Sequence, residues 1–190
     1  MIGADGLGDA QLVNRALAGD DNAFTQLMRR HKGSLYGFVR RYVGDADAAL
    51  DVVQETFVAA WRALGRYDGR PFATWLRAIA LNKCRDRARR LGVRRLVFGE
   101  KDLDSLEAQR QPYSGPDGEA AVVAVQRRRA LDAAIAGLPA KLKEPLLLTY
   151  FEELSQQEAA TLLGVSVKTV ETRIYRARQR LAQLLADTLD

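Results

Sequence analysis

The stretch LSQQEAATLLGVSVKTVETRIYRARQRL, residues 154–181, decides how the chain is read. Ser155 followed three residues on by Glu158 is a capping box, so a short helix starts there with Ala159, Leu162 and Leu163 on its buried side. Ala160 is small enough to let a second helix cross closely, Gly164 supplies the unhindered backbone of a tight turn, and Val165 anchors that turn. Ser166 caps the second helix, whose Val170, Ile174, Ala177 and Leu181 face inward. That leaves Lys168, Thr169, Glu171, Thr172, Arg173, Arg176 and Arg178 outside, with five basic residues against one acidic between Lys168 and Arg180. Such a helix fits the major groove, with its N-terminal side chains, Ser166 included, near base edges and its arginines on phosphates. A hairpin with a merely solvated charged face is the competing reading; the Ala, Gly, Val spacing and the basic excess favour DNA.

Helical periodicity governs the rest as well. Asp20 or Asp21 caps a helix in which Phe24, Leu27, Met28, Leu35, Phe38, Val39 and Tyr42 share a face, and Gly44 ends it. Asp45 or Asp47 opens the next, with Ala49, Val52, Val53, Phe57, Ala60, Trp61 and Leu64 as its stripe. After the turn Tyr67-Asp68-Gly69-Arg70-Pro71, a third helix starts apolar, with Trp75, Leu76, Ile79, Ala80 and Cys84, and ends basic near Arg90. Residues 91–118 lose the periodicity and carry Gly92, Gly99, Pro112, Gly115, Pro116 and Gly118; this is linker composition, with a short helix around Leu103 to Ala108. Patterning resumes at Glu119, stops at Pro139 and restarts near Leu142, where a helix beginning just before Pro145 accommodates that proline. No alternating strand pattern occurs. The expectation is an all-α chain: a lead-in over 1–20, helical bundles over 21–90 and 119–190, and a flexible tether between them.

Composition excludes much. Of 190 residues, 47% are hydrophobic and 28% charged, as in globular proteins. No apolar run approaches the ~18 residues of a membrane span, and the N-terminus lacks the pattern of a signal peptide, so no membrane insertion and a cytoplasmic location are expected. One cysteine and one histidine leave no disulfide and no Cys/His metal cluster, and no nucleophile-base set or phosphate-cradling loop appears. A non-enzymatic role without cofactor is expected. Cys84 is assigned to the core, His31 to a helix face without chemistry, and both tryptophans, Trp61 and Trp75, to core packing. The net charge of +5 is modest, but basic residues gather at Arg85–Arg95 and Lys168–Arg180, which points to a polyanion touched at two places.

Together the motifs resemble one family, the extracytoplasmic-function sigma factors of bacterial RNA polymerase. The resemblance rests on Asp51-Val-Val-Gln-Glu-Thr-Phe57, on Phe72-Ala-Thr-Trp-Leu-Arg-Ala-Ile-Ala-Leu-Asn82 with its basic continuation to Arg90, on Gly137-Leu-Pro139, and on Thr169 to Arg178. It implies that Asp51, Gln54 and Glu55 dock on core polymerase. It implies that Tyr67, Asp68, Gly69, Arg70 and Phe72 wall a pocket for a base turned out of the −10 element, with Asn82 at its rim. Arg85, Asp86, Arg89 and Arg90 then lie along the upstream DNA, and the second helix of the C-terminal pair reads the −35 element. The partners so implied are core RNA polymerase, promoter DNA both duplex and single-stranded, and an anti-sigma factor that holds the protein inactive. A helix-turn-helix regulator acting without polymerase is the alternative, but it leaves residues 51–90 unexplained.

Physical arithmetic agrees with a polymerase partner. Stacking costs roughly 1.4 kcal/mol per base-pair step, so a bubble of about a dozen pairs exceeds ~10 kcal/mol, whereas extruding one or two bases costs only a few. A 28-residue coil averages about 30 Å end to end and reaches about 90 Å stretched, against roughly 55 Å between the two promoter elements. Something else must hold the tether extended. Free in solution, the two bundles are expected either to sample many arrangements or to pack on each other.

Overall fold

A computed structural model describes residues 7–98 and 119–189. Among these residues there are eight α-helices: α1 (Asp9–Leu17), α2 (Asp21–Val43), α3 (Ala46–Ala63) and α4 (Phe72–Phe98), then α5 (Glu119–Gly137), α6 (Ala140–Tyr150), α7 (Gln156–Leu163) and α8 (Val167–Leu189). A short 3-10 turn, Leu64–Arg66, follows α3. The all-helical, two-bundle reading therefore holds.

The helix boundaries follow from local chemistry. The Asp20 carboxylate accepts from the backbone N–H of Asn22 and Ala23 at 3.0 and 3.2 Å, and Asp45 accepts from Ala48 at 2.7 Å, so two orphan helix starts are satisfied by the acids that the pattern singled out. Gly44 closes α2 in the left-handed conformation, φ +82°, where a side chain is strained. One buried cluster unites Leu12 and Val13 of α1, Leu27, Phe38 and Val39 of α2, Val52 and Phe57 of α3, and Leu76, Leu81 and Cys84 of α4. It continues into the second bundle through Ile135, Leu138, Leu147, Leu148, Ala160, Val170, Ile174 and Ala177.

Four expectations need correction. The lead-in contains a helix, α1, which buries Leu12, Val13 and Ala16 on α2; its nine residues are too few for a periodic signal to stand out. The linker begins later than residue 91, because α4 continues to Phe98; Gly92 lowers helix propensity by only about 1 kcal/mol and does not stop it. The short helix placed around 103–108 lies outside the described residues. Pro145 sits well inside α6, five residues past its first, where it costs the helix one backbone hydrogen bond. Trp61 is 42% exposed, its ring 4.8 Å from Phe24, because it lies at the margin of the α3 stripe.

The two bundles pack on each other, α2 against α5 and α6. Lys143 Nζ donates to Tyr42 O at 2.8 Å across the junction, and also to the Ala136 carbonyl of its own bundle. The Arg41 guanidinium lies 4.5 Å from the centre of the Phe151 ring, with Nε 3.7 Å from Asp132. Arg77 pairs with Glu152, whose side chain is 6% exposed and whose burial pushes its carboxyl above the usual range. A Cβ at Gly44 would come within 2.8 Å of Ala136 Cβ, so only glycine allows this approach.

Candidate nucleic-acid interface

The outward side of α3 carries Asp51, Gln54 and Glu55, all exposed, because the apolar stripe Val52, Val53, Phe57 and Ala60 turns the other way. Lys83 and Arg90 of α4 each approach Glu55 at 3.8 Å. Val58 and Trp61, 51% and 42% exposed, extend this polar strip with apolar surface. Exposed Val58 has no counterpart in the sequence reading; its place one residue past Phe57, off the stripe, was the available signal.

The loop after α3 is built on Gly69, at φ +82°, and on an Asp68–Arg70 fork in which Arg70 Nε donates to both carboxylate oxygens at 2.9 and 2.8 Å. Those hydrogen bonds hold the Asp68 carboxyl below its usual range. The Tyr67 hydroxyl donates to the Arg70 carbonyl, closing the loop on itself. Tyr67 is half-buried, and its ring meets Trp75 edge-on at 5.4 Å. Phe72 is 1% exposed, packed against Trp75 at 5.7 Å and His31 at 5.2 Å. Its ring is therefore core beneath the loop rather than an open wall; as first residue of α4 it is directed inward with the stripe that follows. Asn82, exposed, lies ten residues beyond Phe72 on α4, about 15 Å of helix axis.

Along the basic end of α4, Arg85, Arg89 and Arg90 each face a carboxylate. Arg85 Nε and Nη2 donate to the two oxygens of Glu144 on α6 at 2.7 and 2.6 Å, and its Nη1 donates to Asn82 Oδ1 at 3.3 Å. Glu144 is 5% exposed and also accepts from the Tyr42 hydroxyl at 3.0 Å. Asp86 pairs with Arg89, which holds its carboxyl below the usual range, and Arg90 faces Glu55. Desolvation beside this junction lowers the Lys143 ammonium to about 8 and pushes the Cys84 thiol up to about 12. Asn82, Arg85 and Arg89 thus share a cleft with Lys141 and with Arg173 of α8. The Glu144 contact is invisible in sequence, since 59 residues separate it from Arg85.

The C-terminal pair matches its expected geometry closely. Ser155 Oγ accepts from Glu158 N at 3.2 Å while Glu158 accepts from Ser155 N at 2.8 Å, and Gly164 is left-handed at φ +66°. Ser166 Oγ accepts from Thr169 N at 3.2 Å. Val170, Ile174 and Ala177 are buried, whereas Ser166, Lys168, Glu171, Arg176 and Arg178 are exposed, with Thr169, Thr172 and Arg173 between. Lys168 reaches Glu171 at 3.4 Å, and Arg178 donates to the Tyr150 hydroxyl at 3.4 Å. Among the described residues no group of three or more His, Cys, Asp or Glu is gathered for a metal ion, and no helix is long and apolar enough to cross a membrane.

Comparison with known proteins identifies this assembly. Residues 27–94 match the model of sigma-70 region 2, and residues 128–181 that of sigma-70 region 4. CnrH of Cupriavidus metallidurans, an RNA polymerase sigma factor, is 41% identical over 179 residues, 93% of this chain and 94% of its own. SigW of Bacillus subtilis, an ECF RNA polymerase sigma factor, is 32% identical over 92% of this chain and 95% of its own. Two solved structures superpose with TM-scores of 0.65. One is CnrH in complex with the cytosolic domain of CnrY, at 36% identity, covering 94% of this chain and 97% of that one. The other is the sigma factor RpoE in complex with the anti-sigma factor NepR from Bartonella quintana, at 25% identity, covering 86% and 96%. The chain belongs to the ECF sigma factors of RNA polymerase.

Proposed function

We propose that α3 docks on core polymerase through Asp51, Gln54 and Glu55, that the Tyr67–Arg70 loop and the α4 face from Asn82 to Arg90 engage the −10 element, and that α8 engages the −35 element through Ser166, Lys168, Thr169, Glu171, Thr172, Arg173, Arg176 and Arg178. What carries this reading is the placement of two basic helical faces on separate bundles, with an exposed acidic and apolar strip on a third helix. The strip suits a basic amphipathic helical partner, since its carboxylates steer approach and Val58 and Trp61 supply buried area. Duplex contacts come from arginines on phosphates; base capture needs the flat ring of Tyr67 with polar groups beside it.

The packed arrangement is the free, promoter-incompetent form. Glu144 takes the position on Arg85 that a phosphate would occupy, and Arg173 of α8 lines the same cleft as Asn82 and Arg89 of α4, which leaves no room for roughly 55 Å of duplex between the two faces. Polymerase holds the bundles apart; an anti-sigma partner of the kind seen with the Bartonella relative keeps the chain from polymerase. Such work places the protein in the cytoplasm, as the promoter-specificity subunit rather than as an enzyme. The test is reconstitution: the chain with core polymerase is expected to give promoter-directed transcription, and Asp51→Arg to abolish co-purification with core while leaving binding of −35 duplex unchanged. Duplex binding without any association with core would overturn the proposal.

A further inference from the structure

Behind the −10 loop stands a polar pair that no role so far uses. Asp9, first residue of α1, accepts from Arg30 Nη1 at 2.6 Å through Oδ1 and meets His31 Nε2 at 2.7 Å through Oδ2, while Arg30 Nη2 donates to the Leu7 carbonyl at 2.9 Å. His31 has only 12% of its side chain exposed and its ring lies 5.2 Å from that of Phe72. Phe72 in turn lies 6.3 Å from Tyr67 and 5.7 Å from Trp75. Asp9, on the far side of this stack, is near enough for its charge to help raise the Tyr67 hydroxyl, whose main cause is burial. The pair therefore ties α1 and α2 to the aromatic stack on which the loop sits.

Simple attachment of α1 does not require it. Leu12, Val13 and Ala16, at 0%, 1% and 5% exposure, already fasten that helix to α2. Arg30 already satisfies one Asp9 oxygen from the solvent side. What the histidine adds is orientation: an imidazole held by a carboxylate at one nitrogen has a fixed ring plane, and the plane it fixes is the one against Phe72.

We propose that Asp9 and His31 are positioning residues for base capture, holding Phe72 and, through it, Tyr67 in the attitude that receives a base of the displaced strand. The inference rests on the −10 reading above. It makes α1 part of the promoter-opening apparatus, although it touches no DNA.

The test uses the full chain with core polymerase and a single-stranded −10 oligonucleotide carrying 2-aminopurine. Asp9→Asn and His31→Gln are each expected to weaken oligonucleotide capture roughly fivefold, a fraction of what one stacked base is worth. Core binding and −35 duplex binding stay at the unsubstituted level. Asp9→Asn leaves the apolar face of α1 intact, so it reports even if His31→Gln folds poorly. The decisive reading is the double-mutant cycle: in a Tyr67→Ala background, His31→Gln is expected to have no further effect, because it acts through that ring. Trp75 emission, read with Trp61→Phe in place, should shift in both variants. Additive losses, or unimpaired capture by Asp9→Asn and His31→Gln where Tyr67→Ala is impaired, overturn the positioning role while sparing the −10 reading. Normal capture by Tyr67→Ala and Asp68→Ala overturns that reading and the inference with it.

Discussion

The basic end of α4 and the basic face of α8 carry similar residues in opposite conditions. On α4, Arg85, Arg89 and Arg90 face Glu144, Asp86 and Glu55 respectively, and the Glu144 contact comes from the other bundle. On α8, Arg176 and Arg178 are exposed, Arg178 reaching only the Tyr150 hydroxyl, and no described carboxylate pairs with them. A single composition, arginine-rich helix, therefore describes one surface that is occupied in the free protein and another that is ready. Charge counted from sequence measures how much anion a helix can attract; only the packing shows whether an anion is already there.

The largest test of that difference is Glu144→Ala. Removing a buried carboxylate that holds Arg85 and Tyr42 is expected to favour separation of the bundles by about 2 kcal/mol, less than a fully buried pair would give because Arg85 is 38% exposed. That is roughly a thirtyfold shift. It is read as lowered energy transfer between dyes at Leu17 and Tyr175, both exposed, and as tighter binding of −10 DNA by the free chain. Unchanged transfer would mean that Glu144 does not hold the junction.

Next comes Gly44→Ala. Left-handed strain costs about 1 kcal/mol in the stability of the first bundle, and the Cβ forces Ala136 away, opening the junction several-fold. Adding Ala136→Gly is expected to restore closure and leave the strain, which thermal unfolding together with energy transfer separates.

The contrast itself is sharpened by pairing Arg173→Ala with Arg85→Ala. In the free chain the first is expected to weaken −35 duplex binding a few-fold and lower the salt slope by about one, whereas the second changes −10 binding only when Glu144→Ala or polymerase has uncovered that surface. Equal effects of both in the free chain would erase the distinction.

The smallest effect concerns pH. Lys143 has its pKa lowered from 10.5 to about 8 by burial at the junction. Between those values an exposed Lys143 binds a proton that the buried one has lost, so closure strengthens as pH rises from 8 toward 10 and is independent of this group below 8. Tyr42, pushed above its usual 10.0, opposes this only at higher pH. Between pH 7.5 and 8.5 the closed-to-open ratio read by energy transfer should rise about threefold, and Lys143→Met should flatten the profile.

What could be read in advance divides along lines of distance. The α7–α8 caps, Ser155 with Glu158 and Ser166 with Thr169, each span three residues, so the chemistry that fixes them lies within one window of sequence. The stripes of α2 and α3 are equally local, and the resemblance assigned regions before any contact was known. Trp61 went astray because a periodic stripe says which way a helix turns but not where its margin falls, and the depth at which Phe72 lies, 1% exposed, depends on Trp75 and His31 packed against it. Asp9 with His31 and Arg85 with Glu144 are pairs across 22 and 59 residues, and many carboxylates in the chain would have served equally well on paper.

By itself the sequence determined most of the helices, their caps, their apolar stripes and the charged faces opposite, because those depend on neighbours within a few turns. Tertiary structure alone decided which of those faces is free. That depends on whether two bundles meet, and their meeting is set by a glycine that lets α2 approach Ala136, a lysine buried against a backbone carbonyl, and one carboxylate that engages the Arg85 guanidinium.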